Sequence, residues 1–348
     1  MSRQHLRLGV LGAARIAPAG ILDPAGRLSD VEVTAIASRD RRRGRLFAEL
    51  YNIATVYGGY EELLADPDID AVYIALPNAL HAEFLLRALG EGKHVLCEKP
   101  LAANHEEALL IEDEAAKHPD LVVMEAFHWR YHPLAEDILA NLSELGPLRK
   151  LHVRFAFPLL RRHDIRWDFR LAGGAMMDVG CYAVSLINMI MKSDPQAVTA
   201  NAAVAAPEID RRMDAELLFP GGLRASLTAS MLSTAPPGRY AQIEGASGRM
   251  TVRNPFAGHR SGAIRMSGTA LSSTATSYPS ERTTYYYQLK AFVAAIRGVS
   301  PNLTPPSTSV RNLHLIDAVY RAAGLPVRPS RIVPANGSPD HKDNSTKT

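Results

Sequence analysis

Between residues 6 and 125, short apolar runs alternate with stretches of helical period, joined by brief connections. Such alternation predicts a parallel sheet covered by helices. Runs at 6–11, 31–37, 55–57, 71–76, 94–97 and 121–124 read as strands, and helices are expected over 40–51, 61–65, 80–89 and 104–117. The most informative strand is His94-Val95-Leu96-Cys97, because Glu98-Lys99-Pro100 follows it directly. Pro100 has no backbone donor and restricts the residue before it, so the ladder stops there. Glu98 and Lys99 then sit at a strand's carboxyl end, the edge where open α/β sheets bind ligands. Position alone serves a surface ion pair equally well.

The 348 residues suffice for two domains. With 47% hydrophobic and 22% charged residues, the composition is that of a soluble globular chain. No apolar run looks long enough to span a bilayer, and the first residues lack a hydrophobic signal region, so a cytoplasmic location is expected. Cys97 and Cys181 form neither a disulfide framework nor a zinc spacing; both read as buried free thiols, and no metal site is expected. A net charge of +3 is too small to imply nucleic acid, as is the short basic run from Arg39 to Arg45.

The first strand ends in Gly12-Ala13-Ala14-Arg15-Ile16-Ala17. This looks like the turn that lays a dinucleotide pyrophosphate on a helix N-terminus, where free amides favour an anion. The glycine fingerprint keeps only Gly12; Ala14 and Ala17 fill the other two glycine positions, and Ala14 limits how closely phosphate approaches. Pro18 suits a first helical turn, while Pro24 should kink or end that helix. Ser38-Arg39-Asp40 follows the second strand, where an acidic residue selects the 2′-hydroxyl of NAD and arginine accommodates the 2′-phosphate of NADP. Ser38 and Arg39 favour NADP, Asp40 leaves room for NAD, and either Ser38 or Asp40 serves as the next helix's cap.

Pro77-Asn78-Ala79-Leu80-His81 closes the fourth strand. Pro77, Asn78 and His81 are candidates for the cofactor crevice, with helix capping the preferred reading of Asn78. Asn104 and Glu107 resemble a capping box. The run Glu125-Ala126-Phe127-His128-Trp129-Arg130-Tyr131-His132-Pro133 marks the domain junction, since arginine and histidine are poor core residues. A nucleotide-binding domain is thus expected over 1–127.

Strand-like segments at 151–157, 196–204, 215–219, 225–231, 240–244 and 249–252 predict a second, mainly antiparallel sheet over 128–326. Within it Gly173-Gly174-Ala175 leads into a helix over 176–191. Asp178 and Tyr182 are four apart and share one helix face, although a tyrosine there also suits a core position. The polar stretch 161–168 reads as an exposed loop that touches substrate or partner. Loops and weak strands are expected over 254–284, helices over 286–297 and 310–323, and a disordered tail over 327–348. No internal repeat is visible.

With these pieces placed, the chain resembles the glucose-fructose oxidoreductase, inositol dehydrogenase and MocA family. The likeness rests on Gly12 to Ala17, Ser38-Arg39-Asp40, Glu98-Lys99-Pro100, Trp129 to Pro133, and Asp178-Val179-Gly180-Cys181-Tyr182. It implies a Rossmann domain followed by an α+β domain with a large, mainly antiparallel open sheet. It also implies NADP or NAD, with Gly12, Ala14, Arg15, Ile16, Ser38, Arg39, Pro77, Asn78, His81, Glu98 and Lys99 on the cofactor side. Lys99 takes a catalytic role beside the nicotinamide, and a homodimer or homotetramer forms through the second domain's sheet. Many members carry histidine where this chain has Tyr182; tyrosine resembles the branch of dihydrodiol dehydrogenases and NADP-dependent aldose 1-dehydrogenases.

The activity so implied is hydride transfer between a sugar or cyclic-diol hydroxyl and NADP. Free tyrosine titrates near ~10 and lysine near ~10.4, so neither is a ready base. A neighbouring ammonium and an oxidised nicotinamide both favour tyrosinate. Tyr182 is therefore expected as proton acceptor with Lys99 as electrostatic partner; the reverse, with Lys99 relaying the proton, stays open. Trp129, Arg130 and Asp178 are the expected substrate contacts. Two rivals share the fold: a redox-neutral glycosidase with retained NAD, and an NADP-sensing protein without turnover.

Overall fold

The computed structural model describes residues 5–161, 163–232, 237–268 and 274–332. Its first half runs β1 (Leu6–Leu11), α1 (Asp23–Ala25), β2 (Val31–Ala37), α2 (Arg41–Tyr51), β3 (Thr55–Tyr57), α3 (Tyr60–Leu64), β4 (Ala71–Ile74), α4 (His81–Gly90), β5 (His94–Cys97), α5 (His105–Lys117) and β6 (Val123–Glu125). The six strands form a parallel sheet in the order β3-β2-β1-β4-β5-β6. Leu8, Val10, Val72, Tyr73, Val95 and Leu96 are fully buried in it, as expected of strands covered on both faces. Between β1 and β4 the strand order reverses, which opens a crevice at their carboxyl ends.

Local chemistry sets several boundaries. Asp40, not Ser38, caps α2, its carboxylate accepting from Arg43 N at 3.0 Å. Asn104 caps α5 through Glu107 N at 2.9 Å, while the Glu107 carboxylate reaches back to Ala103 N, one residue short of the reciprocal capping box. Pro18 occupies the first turn of a helical segment that ends just past Pro24.

The second half continues with α6 (Pro133–Ala140), β7 (Leu148–Ala156), α7 (Cys181–Met191), β8 (Ala197–Ala206), β9 (Ile209–Leu218), β10 (Arg224–Ser230), β11 (Gly238–Gly245), β12 (Gly248–Arg253), α8 (Gly258–Ser261), β13 (Ala263–Gly268), β14 (Thr274–Ser277), α9 (Thr284–Ile296) and α10 (Pro306–Ala322). Eight strands order as β14-β13-β12-β11-β7-β10-β9-β8, antiparallel except for β10 beside β7. β9 starts six residues before its expected position because Asp210, Arg211 and Arg212 hide the strand pattern. Part of the weakly patterned stretch, 269–273, lies outside the described residues, as do 333–348 of the expected tail.

Three expectations are corrected. The domain division at 326 fails for the last helices: Leu289, Phe292 and Val293 of α9 join the core of the first sheet, and α10 packs along α5. The tail does not begin at 327, for Arg328 is fully buried. A stretch long and apolar enough to cross a bilayer does exist, Phe169–Met191, but 83% of its most apolar 18 residues are buried within the fold.

Arg328 forms an ion pair with Asp210 at 2.7 Å, both side chains fully buried, and donates to Gly173 O. Asp210 also accepts from Tyr320 Oη and Met176 N. Burial pushes the Asp210 carboxyl up to about 6 against the pull of Arg328. Replacing Arg328 by Met should cost about 3–5 kcal/mol of unfolding free energy, because a buried charge loses its partner. Urea denaturation checks this; an unchanged midpoint would contradict it.

Glu125 ends β6 and is buried, accepting from Leu101 N and Ser309 Oγ. Burial pushes its carboxyl up to about 7. A folded value above the unfolded one favours the protonated form in the fold. That contribution is complete below the unfolded value and is lost as pH rises through about 7. The Tm of the protein should therefore fall between pH 5 and pH 8 more steeply than that of Glu125→Gln; equal slopes would remove Glu125 from the account.

Candidate active site

The crevice at the strand ends extends between the two sheets as a cleft of about 1300 Å³. Its floor is the turn after β1. Gly12 has φ +100°, and a Cβ there would lie 2.9 Å from Ala75 O, so only glycine fits. Ala14, Arg15 and Ile16 line the cleft above it, with Ser38, Arg39 and Asp40 at the end of β2 and Pro77, Asn78 and His81 after β4. Asp40 spends its carboxylate on the α2 cap, while Arg43, absent from the sequence-level candidates, reaches Ala13 O at 2.6 Å. Asn78 is not a cap: its amide donates to Ala172 O at 3.0 Å, tying the first domain to the second.

His81 is fully buried, its ring nitrogens each 2.8 Å from a backbone carbonyl, Pro100 O and Leu76 O. Burial holds its pKa below the ordinary value, so a neutral ring donates to one carbonyl at a time. It braces the two strand ends beneath the cleft.

At the inner end, Glu98 accepts from Tyr73 Oη at 2.6 Å. Gly20 permits this, since a Cβ there would lie 2.5 Å from that hydroxyl. Lys99 points across to the second domain, donating to Asp178 O at 2.7 Å and Asp178 Oδ1 at 3.1 Å. Asp178 lies in a widened, π-type turn, Met176–Gly180, ahead of α7. Such turns recur at functional sites, and sequence period does not reveal them. Arg166 Nε stands 2.8 Å from Asp178 Oδ2, its Nη1 3.1 Å from Asp164, and Asp164 pairs with Arg15 at 2.6 Å. The stretch expected as an exposed loop therefore folds over the cleft; Asp164 is buried, and Arg162 lies outside the described residues.

Burial alone would lower the Lys99 pKa and raise that of Asp178. Their attraction outweighs burial, so Lys99 stays an ammonium and Asp178 a carboxylate. Lys99 is thus poorly suited to accept a proton.

Tyr182 is buried among Phe127, Phe155 and Phe256. The expected Lys99–Tyr182 pairing takes an unexpected form: Lys99 Nζ lies over the ring face, 5.0 Å from its centroid, and the hydroxyl instead meets His128 Nε2 at 3.2 Å. Burial, followed by Glu98, holds the tyrosine pKa well above 10, so the expected lowering by Lys99 is not seen. His128, which sequence reasoning missed, continues through Nδ1 to Thr284 Oγ1 at 2.8 Å. Burial pushes its pKa down to about 3, leaving a neutral ring that accepts from the phenol. Its place in the junction motif was the only available signal.

Trp129 and Arg130 do not line the cleft. Trp129 is fully buried, edge-on to Phe256, and the Arg130 guanidinium lies over the indole and against Met189 Sδ. They brace the junction, where a planar cation stacked on an aromatic face tolerates burial.

Residues 6–126 match the family model described as the GFO_IDH_MocA oxidoreductase family, NAD-binding Rossmann fold, and residues 139–251 match the GFO/IDH/MocA C-terminal domain. A D-xylose 1-dehydrogenase (NADP(+)) of Haloferax volcanii is 34% identical, covering 91% of this chain and 97% of its own. Trans-1,2-dihydrobenzene-1,2-diol dehydrogenase of Xenopus tropicalis is 35% identical over 60% of this chain and 63% of its own. A 3-ketoreductase from Actinomadura kijaniata, solved with NADP and TDP-benzene, has a TM-score of 0.83 at 29% identity, covering 91% and 98% of the two chains. With the six-stranded parallel sheet, the eight-stranded partner sheet and matches to both domains, the chain belongs to the GFO/IDH/MocA family of oxidoreductases.

Proposed function

We propose that the protein is an NADP-dependent oxidoreductase that transfers hydride between NADP and a sugar or cyclic-diol hydroxyl. The observation that carries this reading is the meeting of Lys99 and Tyr182 at the inner end of the cleft, with the ammonium 5.0 Å over the phenol ring. Similarity to a xylose dehydrogenase and a dihydrodiol dehydrogenase supports the substrate class.

The cleft fits the cofactor because the Gly12 turn leaves no room for a Cβ and the β2 end offers cations rather than a free carboxylate. Ser38, Arg39 and Arg43 would hold the 2′-phosphate, Gly12 to Ile16 the pyrophosphate, and Pro77, Asn78 and Glu98 the nicotinamide end, above the His81 brace. When bound, the cofactor supplies or accepts the hydride. Tyr182 gives a proton to the carbonyl oxygen in reduction and takes one from the hydroxyl in oxidation. Lys99 steadies negative charge on that oxygen, Asp178 and Arg166 hold Lys99 in position, and His128 orients the phenol. The open face of the eight-stranded sheet is the surface through which copies would pair, and the two buried free thiols suit a cytoplasmic setting.

Tyr182→Phe should lower turnover by about 10² to 10⁴ with little change in NADP affinity, as expected for loss of acid/base work. Near-wild-type turnover, or NADP binding with no absorbance change at 340 nm on any aldose, cyclitol or trans-diol, would overturn the reading. The raised Tyr182 pKa gives opposite pH profiles in the two directions. Oxidation, which uses the tyrosinate, should climb from pH 7 to pH 10, whereas reduction, which uses the phenol, should hold level until its pKa is approached.

Cofactor choice is tested separately. Arg39→Asp should lower the ratio of kcat/KM for NADP over NAD by about tenfold or more, the effect of losing a charge-assisted contact to phosphate; an unchanged ratio would exclude Arg39 from that selection.

A further inference from the structure

Beyond Tyr182 the cleft opens into a side lobe of about 180 Å³ whose walls include Phe155, Phe256, Tyr182 and Tyr285. Phe155 and Phe256 stack at 5.3 Å and give the lobe an aromatic wall. Two guanidiniums nevertheless face the lobe, Arg239 from β11 and Arg260 from α8. Arg239 is half-buried, with its guanidinium 4.8 Å over the Phe155 ring. Among the described residues neither arginine has a carboxylate partner, whereas Arg15 of the same cleft pairs with Asp164 and Arg166 with both Asp164 and Asp178. The groups that act most strongly on Arg239 are Arg260 and the tyrosines 182 and 285; burial and the second guanidinium both lower its pKa.

The lobe's two imidazoles do not supply the missing negative charge. His128 is engaged by Tyr182 and Thr284. His259 accepts from Thr284 N at Nδ1, which leaves Nε2 to carry the proton as a further donor. Burial and Arg260 keep its ring neutral. The acids elsewhere in the cleft are already occupied: Glu98 by Tyr73, and Asp178 by Lys99 and Arg166. Arg239, half-buried against the aromatic wall, is only partly hydrated, and the exposed Arg260 repels it. An arrangement of this kind is relieved by an anion whose oxygens accept from both forks.

We infer that the side lobe is an anion subsite and that the preferred substrate is a hydroxy or keto sugar derivative bearing a carboxylate or phosphate, its reacting carbon at Tyr182 and its anionic group between Arg239 and Arg260. The inference rests on the reading of Tyr182 as the reacting end and goes beyond it by naming the charge of the substrate. The lobe's volume is that of about six liquid waters, at ~30 Å³ each. It accommodates one carboxylate or phosphate group with an adjoining carbon.

The test compares kcat/KM with NADP for D-glucose, D-glucuronate and D-glucose 6-phosphate in the wild type and in Arg239→Met and Arg260→Gln. Met keeps an apolar stem over Phe155 while removing the charge. One of the two charged sugars should exceed glucose by at least tenfold, and which one identifies carboxylate or phosphate. In each variant that ratio should fall about tenfold or more, mainly through KM. No preference for either charged sugar in the wild type, or a preference unchanged in both variants, overturns the inference. If nothing turns over, the oxidoreductase reading fails for these sugars, and a binding measurement decides the subsite alone: calorimetric titration of D-gluconate and inorganic phosphate into the NADP-saturated protein. Binding of either that is weakened in Arg239→Met supports the subsite, and the absence of binding, or equal binding in the variant, overturns it.

Discussion

Asp178 is the charge on which the site depends. It lies between Lys99 from the first domain and Arg166 from the second, and Arg166 in turn meets Asp164, which meets Arg15 beside the Gly12 turn. Five alternating charges thus run from the phosphate end of the cleft to its inner end. The inner members are largely buried, with Lys99 and Asp178 side chains each 12% exposed, while Arg15 is 58% exposed. Desolvation penalises every buried member, and an isolated buried pair is weak evidence for stability. Here neutralising one member would leave its neighbours unpaired, so the direction of each pKa follows the chain: Lys99 and Arg166 up, Asp178 and Asp164 down. The functional result is a lysine that remains a cation and is held over the Tyr182 ring.

A second buried pair holds the element that carries Asp178. Asp210 accepts from Met176 N at the start of the widened turn, and Arg328 grips both Asp210 and Gly173 O. Gly174 has φ +123°, and a Cβ there would lie 2.1 Å from Asp210 Oδ1. Only glycine allows the chain to pass so close to the carboxylate. The last described residues are therefore part of the apparatus that positions Asp178 and Tyr182, which gives the burial of Arg328 a purpose beyond stability.

The sequence was most legible where structure is local. Strands of the first sheet announce themselves as apolar runs stopped by Gly12, Pro77 and Pro100, and this placed Lys99 at the right edge. Asp178 and Tyr182 stand out by their four-residue spacing and gain their roles from the family resemblance; both lie in the cleft, though the turn between them is wider than α-helical spacing implies. What failed was non-local. Trp129 and Arg130 sit in a motif rich in polar groups, yet Trp129 is core and Arg130 stacks over it half-buried; His128, one residue earlier, reaches Tyr182. Arg328 looked like tail because its partner lies 118 positions away. No periodicity encodes such a pair.

The aromatic wall explains why these few charges suffice. Tyr182, Phe155 and Phe256 pack within 5.2–5.3 Å of one another, giving the Tyr182 hydroxyl an aromatic surround. In that setting a nearby charge acts through a lower effective dielectric than in solvent. The same burial that keeps Tyr182 a neutral phenol makes its pKa responsive to any further cation entering the cleft, and Glu98, which opposes tyrosinate, is itself pushed toward its neutral form by burial, against the pull of Tyr73 and Lys99. Among the strongest influences on the Tyr182 hydroxyl, Arg239 alone favours tyrosinate. An anion seated on Arg239 would weaken that support and strengthen the phenol, biasing Tyr182 toward proton donation. If Tyr182 is the acid/base and the lobe holds the proposed anion, substrate charge and the direction of proton transfer are coupled through this arginine.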